Sequence, residues 1–212
     1  MIRRVQDHLE NIYALETGLC ADDFLVDPEA AQLLGASGHT TEELLILQQG
    51  DELELALYLC PKLLERLRAL DGAPGDRVVA EALDSYCQLA EGVSHFLYMA
   101  HTAREDRRVS LLELEAQAEV DKFATCVLYG WQRGVQWAEE LLQRLFAWVS
   151  YRPHLSADAR WRYEEANRLA KSFCRKLLRH VAQGRMDRFL GDLRYAYRLG
   201  ADAKLRHLAQ PA

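Results

Sequence analysis

A mainly α fold, a multi-helix bundle with a small N-terminal α+β lobe containing a β-hairpin, is what three features of this 212-residue sequence predict. Beyond Asp76, apolar residues recur at helical spacing with few breaks. One segment, 43–59, alternates with a period of two. Asp71-Gly72-Ala73-Pro74-Gly75 is the clearest breaker cluster in the chain. The cluster separates a lobe over 1–75 from a helical bundle over 76–212 with basic C-terminal helices, together read as one compact unit. With 50% hydrophobic and 27% charged residues, the composition excludes disordered and collagen-like chains and supplies a core.

Each element has its own signal. Ile2, Val5, Leu9, Ile12 and Tyr13 share one helical arc, which predicts an amphipathic helix over 2–15 ended by Thr17-Gly18. Asp27-Pro28-Glu29 supplies an N-cap, a first-turn proline and a favourable acid for a short helix to Leu34. Leu53, Leu55, Leu57 and Leu59 alternate with Glu54, Ala56 and Tyr58, after the apolar run Leu44 to Leu47 and the turn Gln49-Gly50-Asp51. The pattern predicts a hairpin of 43–48 and 53–59, joined by 24–26; the helix propensity of leucine leaves two short helices as the alternative. Pro61 opens a helix to Leu70. Five longer helices follow over 77–105, 109–129, 134–150 (closed by Pro153), 157–183 (stopped by Gly184) and 186–208. Short breaks between them favour antiparallel neighbours.

The N-terminal MIRRVQDHLE lacks the apolar stretch of a secretory leader. Stretches without charge, such as Gly92 to Ala103, fall short of the roughly 20 apolar residues of a membrane span, so no membrane insertion is expected. Five dispersed cysteines without a C-x-x-C pair predict reduced thiols and a cytoplasmic location. The net charge of −6 is unevenly spread: residues 1–149 hold 12 Lys+Arg against 26 Asp+Glu, residues 150–212 hold 14 against 6. Such asymmetry points to a nucleic acid, an acidic partner, or a basic segment folded on the acidic part.

Four constellations carry candidate chemistry. His101 lies in the apolar stripe of helix 77–105, and Glu115 and Glu119 lie at or beside that of helix 109–129. Folding back at 107–108 would bring them together as a metal site, an acid–base pair or a buried structural hydrogen bond. No Glu-x-x-His occurs, which argues against a ferritin-like di-metal centre, and no cofactor is expected. Glu91 and His95, four apart, are spaced as two metal ligands, on an arc with Arg77, Asp84, Gln88 and Thr102 that reads as solvated. Arg168, Lys171, Arg175 and Arg179 form a basic stripe on helix 157–183, continued by Arg194 and Arg198. It suits a phosphate backbone, the acidic part of the chain, or solvent. Trp137, Arg144 and Trp148 share one helix margin in the aromatic-dense region 131–161, a partner patch or a core.

Arg175 and His180, in R-K-L-L-R-H, resemble the Arg-x(4–6)-His spacing of the all-α HEPN ribonucleases. The spacing occurs twice, as about two chance matches predict, the other being Arg3 and His8, and Lys176 departs from the family's polar or acidic residue. No family is assigned on it. Phosphate-binding glycine loops, G-x-S-x-G and H-E-x-x-H are absent. The expectation is therefore a non-enzymatic cytoplasmic interaction or regulatory protein whose helical bundle holds a macromolecular partner, another protein or a second copy of the chain. The alternatives are a nucleic-acid-binding or HEPN-like ribonuclease protein using the basic 160–206 helices, and a metal-binding or acid/base enzyme using His101, Glu115 and Glu119.

Overall fold

The computed structural model describes residues 1–50, 52–149, 151 and 155–210. Asp51 of the expected turn and Pro153 as helix stop lie outside the described residues. Among them are nine α-helices and one three-stranded sheet, so the fold is mainly α with a hairpin near the N-terminus. The chain divides into two compact units. The first comprises Met1–Asn11 and Leu15–Asp106, the second Ile12–Ala14 and Arg107–Ala212.

In the first unit, α1 (Ile2–Tyr13) buries Val5 and Leu9 on the arc the spacing predicts. A 3-10 turn (Ala21–Phe24) leads into β1 (Leu25–Val26), and α2 (Pro28–Leu33) starts at Asp27, whose carboxylate accepts from the Ala30 amide at 2.8 Å. β2 (Glu42–Gln49) and β3 (Glu52–Leu59) form the hairpin, with Leu44 opposite Leu57 and Ile46 opposite Leu55. β3 is central, antiparallel to β2 and parallel to β1. Strand pairing prevails over leucine's helix propensity because a period of two turns Leu57 and Leu59 to the same side, where both are buried.

α3 (Pro61–Arg68) and α4 (Gly75–Arg104) complete this unit, and α4 packs on α3, β2 and β3. The breaker cluster at 71–75 therefore ends α3, while α4 beyond it stays with the hairpin. Gly92 makes the close approach possible: a Cβ there would stand 3.1 Å from the Leu59 side chain and 3.3 Å from Glu42 Cβ. The predicted stripe Val79, Leu83, Tyr86, Ala90, Val93, Leu97 and Ala100 is buried. The expected solvated arc is not solvated throughout. His95 is 7% exposed and Thr102 fully buried, and at His95 the hairpin covers the side of α4 that Gly92 opens. The Thr102 hydroxyl donates to the Tyr98 carbonyl at 2.7 Å, which satisfies its polarity within the helix.

The second unit is built of α5 (Leu111–Tyr129), α6 (Gly134–Phe146), α7 (Ala157–Ala182), α8 (Met186–Arg198) and α9 (Ala201–Ala209). α7 packs on each of the other four. A capping box opens α5: the Ser110 hydroxyl accepts from the Glu113 amide at 3.1 Å, and the Glu113 carboxylate receives the Ser110 amide. The single helix expected over 186–208 is two. Leu199 and Gly200 have extended backbone, and the Leu199 carbonyl freed by the break accepts from the Arg107 guanidinium at 2.9 Å. Glycine's poor helix propensity and that external donor together stop α8.

Between α5 and α6, a Cβ on Gly130 would overlap the Trp137 ring, whereas a Cβ on Gly191 in α8 would meet nothing within 4 Å. Gly130→Ala should cost about 1–3 kcal/mol by overpacking. Gly191→Ala should be neutral or add up to about 1 kcal/mol through helix propensity. Chemical denaturation of both variants checks the pair, and equal stability of the two would contradict the placement of Trp137. No helix among the described residues is long and apolar enough to cross a membrane.

Candidate functional site

The three residues of the expected His/Glu cluster fall in different units. In the first, His101 Nε2 stands 3.5 Å from Glu105 Oε1, one turn on along α4. In the second, Glu115 Oε1 lies 3.7 Å from Arg162 Nε of α7, and Glu119, only partly buried, accepts from Lys122 Nζ at 2.9 Å.

The polar centre of the second unit lies one helical face away. Glu113, Gln117 and Asp121, spaced i, i+4, i+8 on α5, are each 3% exposed or less. The Tyr13 hydroxyl donates to Asp121 Oδ1; Gln117 Nε2 donates to the same oxygen at 2.7 Å. Lys204 Nζ, fully buried on α9, donates to Gln117 Oε1 at 2.8 Å and stands 5.2 Å from the centre of the Tyr197 ring. Tyr197 stacks on Tyr13 with centroids 4.0 Å apart. Arg107 Nη2 lies 3.4 Å from Glu113 Oε1.

Burial pushes Lys204 down to about 7, against the raising pull of Glu113 and Asp121. Burial, followed by the Asp121 charge, raises Tyr13 well above its ordinary value. A lysine that is half neutral near pH 7 is chemically able to act as a base. Here its neighbours enclose it. Tyr13, Gln117, Asp121, Tyr197 and Lys204 are at most 3% exposed, so the network joins helices without meeting solvent. Periodicity misses it because Lys204 counts as one more cation of a basic tail, although its spacing of four from Leu208 sets it on the apolar face of α9.

The basic stripe divides. Arg168 makes two bonds to Glu165, at 2.6 and 2.8 Å. Arg179 Nη2 donates to Asp192 of α8 at 3.1 Å. Arg194 donates to the Ile12 carbonyl at 2.7 Å and Arg198 to the Tyr13 carbonyl at 3.0 Å, so both satisfy backbone acceptors at the end of α1. Arg175 is exposed and lines a depression of about 560 Å³ between α6 and α7, with Glu139, Glu140, Gln136 and Gln143. Lys171 is half-buried on α7. His180 turns from Arg175 toward α8, where Nε2 lies 2.9 Å from Asp192 Oδ2. Five residues apart on a helix, Arg175 and His180 differ by about 140° and serve different faces.

The aromatic region separates into an anchored and a free part. Trp137 is half-buried against Gly130, with the Arg133 guanidinium 5.3 Å from its ring centre. Arg144 is exposed on the last turn of α6. Trp148 is 77% exposed and Trp161, in the first turns of α7, is 59% exposed. Val149 adds a further exposed apolar side chain beside Trp148. Arg160, neighbouring Trp161, pairs with Glu164 at 3.5 Å. Compared with protein-family models, curated proteins and solved structures, the chain matches none.

Proposed function

We propose that this protein is a non-enzymatic, cytoplasmic interaction protein that holds an acidic protein partner through the aromatic surface of its second unit. The observation that carries the reading is the exposure of two tryptophans, Trp148 at 77% and Trp161 at 59%. Tryptophan in water is costly and is the residue type that most often dominates interface energies. The chemistry of the partner follows from charge: the second unit holds 19 Lys+Arg against 12 Asp+Glu, whereas the first holds 7 against 20. Arg144 supplies an exposed cation near Trp148 in the chain. The five cysteines, none of them in a disulfide, agree with a reducing compartment.

Two features favour this reading over its rivals. Four of the six stripe cations already hold a carboxylate or a backbone carbonyl, and Arg175 shares its depression with two glutamates; a phosphate backbone would compete with all of them. The most strongly perturbed groups are sealed from solvent, away from any substrate. The test is purification of tagged wild type and a Trp148→Ala/Trp161→Ala variant from native lysate, with and without nuclease. A stoichiometric acidic protein that resists nuclease and is lost from the variant is expected. Nucleic acid travelling with both forms would establish the nucleic-acid reading instead, and a wild-type mass twice that of the variant would make the partner a second copy.

A further inference from the structure

We propose that two copies of this chain associate through the outer edge of β2, pairing antiparallel so that the sheet continues from one first unit into the next. The inference is independent of the tryptophan surface on the second unit. Strand order β1-β3-β2 leaves β2 at the end of the sheet, and among the described residues no strand lies beyond it. The Thr41 carbonyl accepts from the Cys60 amide at 2.7 Å, and bonded and non-bonded pairs alternate along an antiparallel ladder. Glu42 lies opposite Leu59 and each later pair follows in step. Glu43, Leu45 and Leu47 therefore bond to β3, whereas Leu44, Ile46 and Gln48 aim their amides and carbonyls outward.

That edge lacks the devices that keep edge strands apart. Over its eight residues β2 carries no Lys, Arg or Pro, and its register with β3 runs from Glu42 to Gln49 without a bulge. Ile46 and Leu47 are 42% and 44% exposed, on opposite faces of the sheet. A second copy suits the edge because EELLILQQ complements its own reverse. The outward-aimed residues of one copy must meet those of the other, which restricts the registers. With Leu45 on the two-fold axis, Glu42 faces Gln48 and Leu44 faces Ile46. With Ile46 on the axis, Glu43 faces Gln49 and Leu45 faces Leu47. In either register apolar residues meet in the middle, a carboxylate meets an amide at each end, and no two glutamates are opposed. Parallel pairing in register would instead set Glu42 and Glu43 against their own copies.

The test is sedimentation velocity of the full-length chain over a concentration series from about 1 to about 200 μM, at low and high salt. A reversible doubling of mass is expected. It should strengthen with salt, because both first units are acidic, each with 20 Asp+Glu against 7 Lys+Arg. Ile46→Pro removes an outward amide that β3 does not use, so the hairpin should stay and the doubling should vanish. Ile46→Glu sets like charges along the joined edges and should weaken association at least about tenfold. Trp148→Ala/Trp161→Ala should double in mass as wild type does, which separates this edge from the surface proposed for the acidic partner. A single-chain mass at every concentration, or a doubling that both Ile46 variants keep, would overturn the proposal, as would a doubling lost only in the tryptophan variant. Should Ile46→Pro not fold, Ile46→Glu decides it alone.

Discussion

Asp121→Ala is expected to destabilise the second unit by about 3–5 kcal/mol, the range for removing one partner of a buried charged network. Asp121 accepts from both the Tyr13 hydroxyl and the Gln117 amide, and its charge helps to hold buried Lys204. Alanine would strand two donors and leave Lys204 less compensated. Asp121→Asn keeps the size and one acceptor, so its loss should be smaller. Tyr13→Phe removes a single donor and should cost about 1 kcal/mol. Urea denaturation of the three variants should rank them in that order. Three midpoints equal to wild type would mean that Tyr13, Gln117 and Asp121 do not meet in solution.

A second large effect comes from pH. Lys204 in the folded chain titrates at about 7, against about 10.4 in an unfolded chain. Between those values the unfolded chain keeps a proton that the folded chain has released, so stability rises with pH. The penalty for burying the ammonium is complete below about pH 7 and is relieved as pH climbs, at up to about 1.4 kcal/mol per unit. Lys204 should therefore add up to about 2 kcal/mol between about pH 7 and 8.5. Above that, the raised Cys174 and then the raised Tyr13 oppose the trend, because the unfolded chain ionises each of them first. Lys204→Met should flatten the profile between about pH 7 and 8.5. A wild-type profile already flat over that interval of about 1.5 pH units would mean that Lys204 is hydrated.

Elements with strong local chemistry were readable from sequence. Asp27-Pro28 starts α2, and the leucine alternation makes β3. Three features were not readable, each for a physical reason. A single glycine inside a helical pattern does not announce a stop; Gly200 does so only because Arg107, distant in sequence, takes the Leu199 carbonyl. α5 is buried on most of its circumference, so apolar periodicity leaves its orientation undetermined. Of the two glutamates expected to face inward, Glu115 is buried and Glu119 only partly, and Glu113, Gln117 and Asp121 form the most enclosed row. His95 lies on an arc that looks polar, and only the hairpin, a non-local neighbour, shows that this arc is covered.

The arcs assigned to Arg168, Arg179, Arg194 and Arg198 required partners that periodicity does not name. Two are local carboxylates, Glu165 and Asp192, and two are carbonyls at Ile12 and Tyr13, more than 180 positions away in the chain for each pair. Of the expected partner patch, Trp137 is taken up by Gly130 and Arg133, while Trp148 remains at the surface, as does Trp161 at the end of the aromatic-dense region.

The central claim is that a protein partner is held by those two tryptophans and not by the stripe or the buried network. The most direct measurement is the dissociation constant of the co-purified partner for wild type, Trp148→Ala/Trp161→Ala and Arg168→Glu/Arg175→Glu, at matched salt and with melting temperatures recorded for each. The tryptophan variant should lose at least about 30-fold, near 2 kcal/mol, with little change in melting, while the stripe variant changes far less. Affinity unchanged by the tryptophan substitutions but abolished by the two charge reversals would contradict the account.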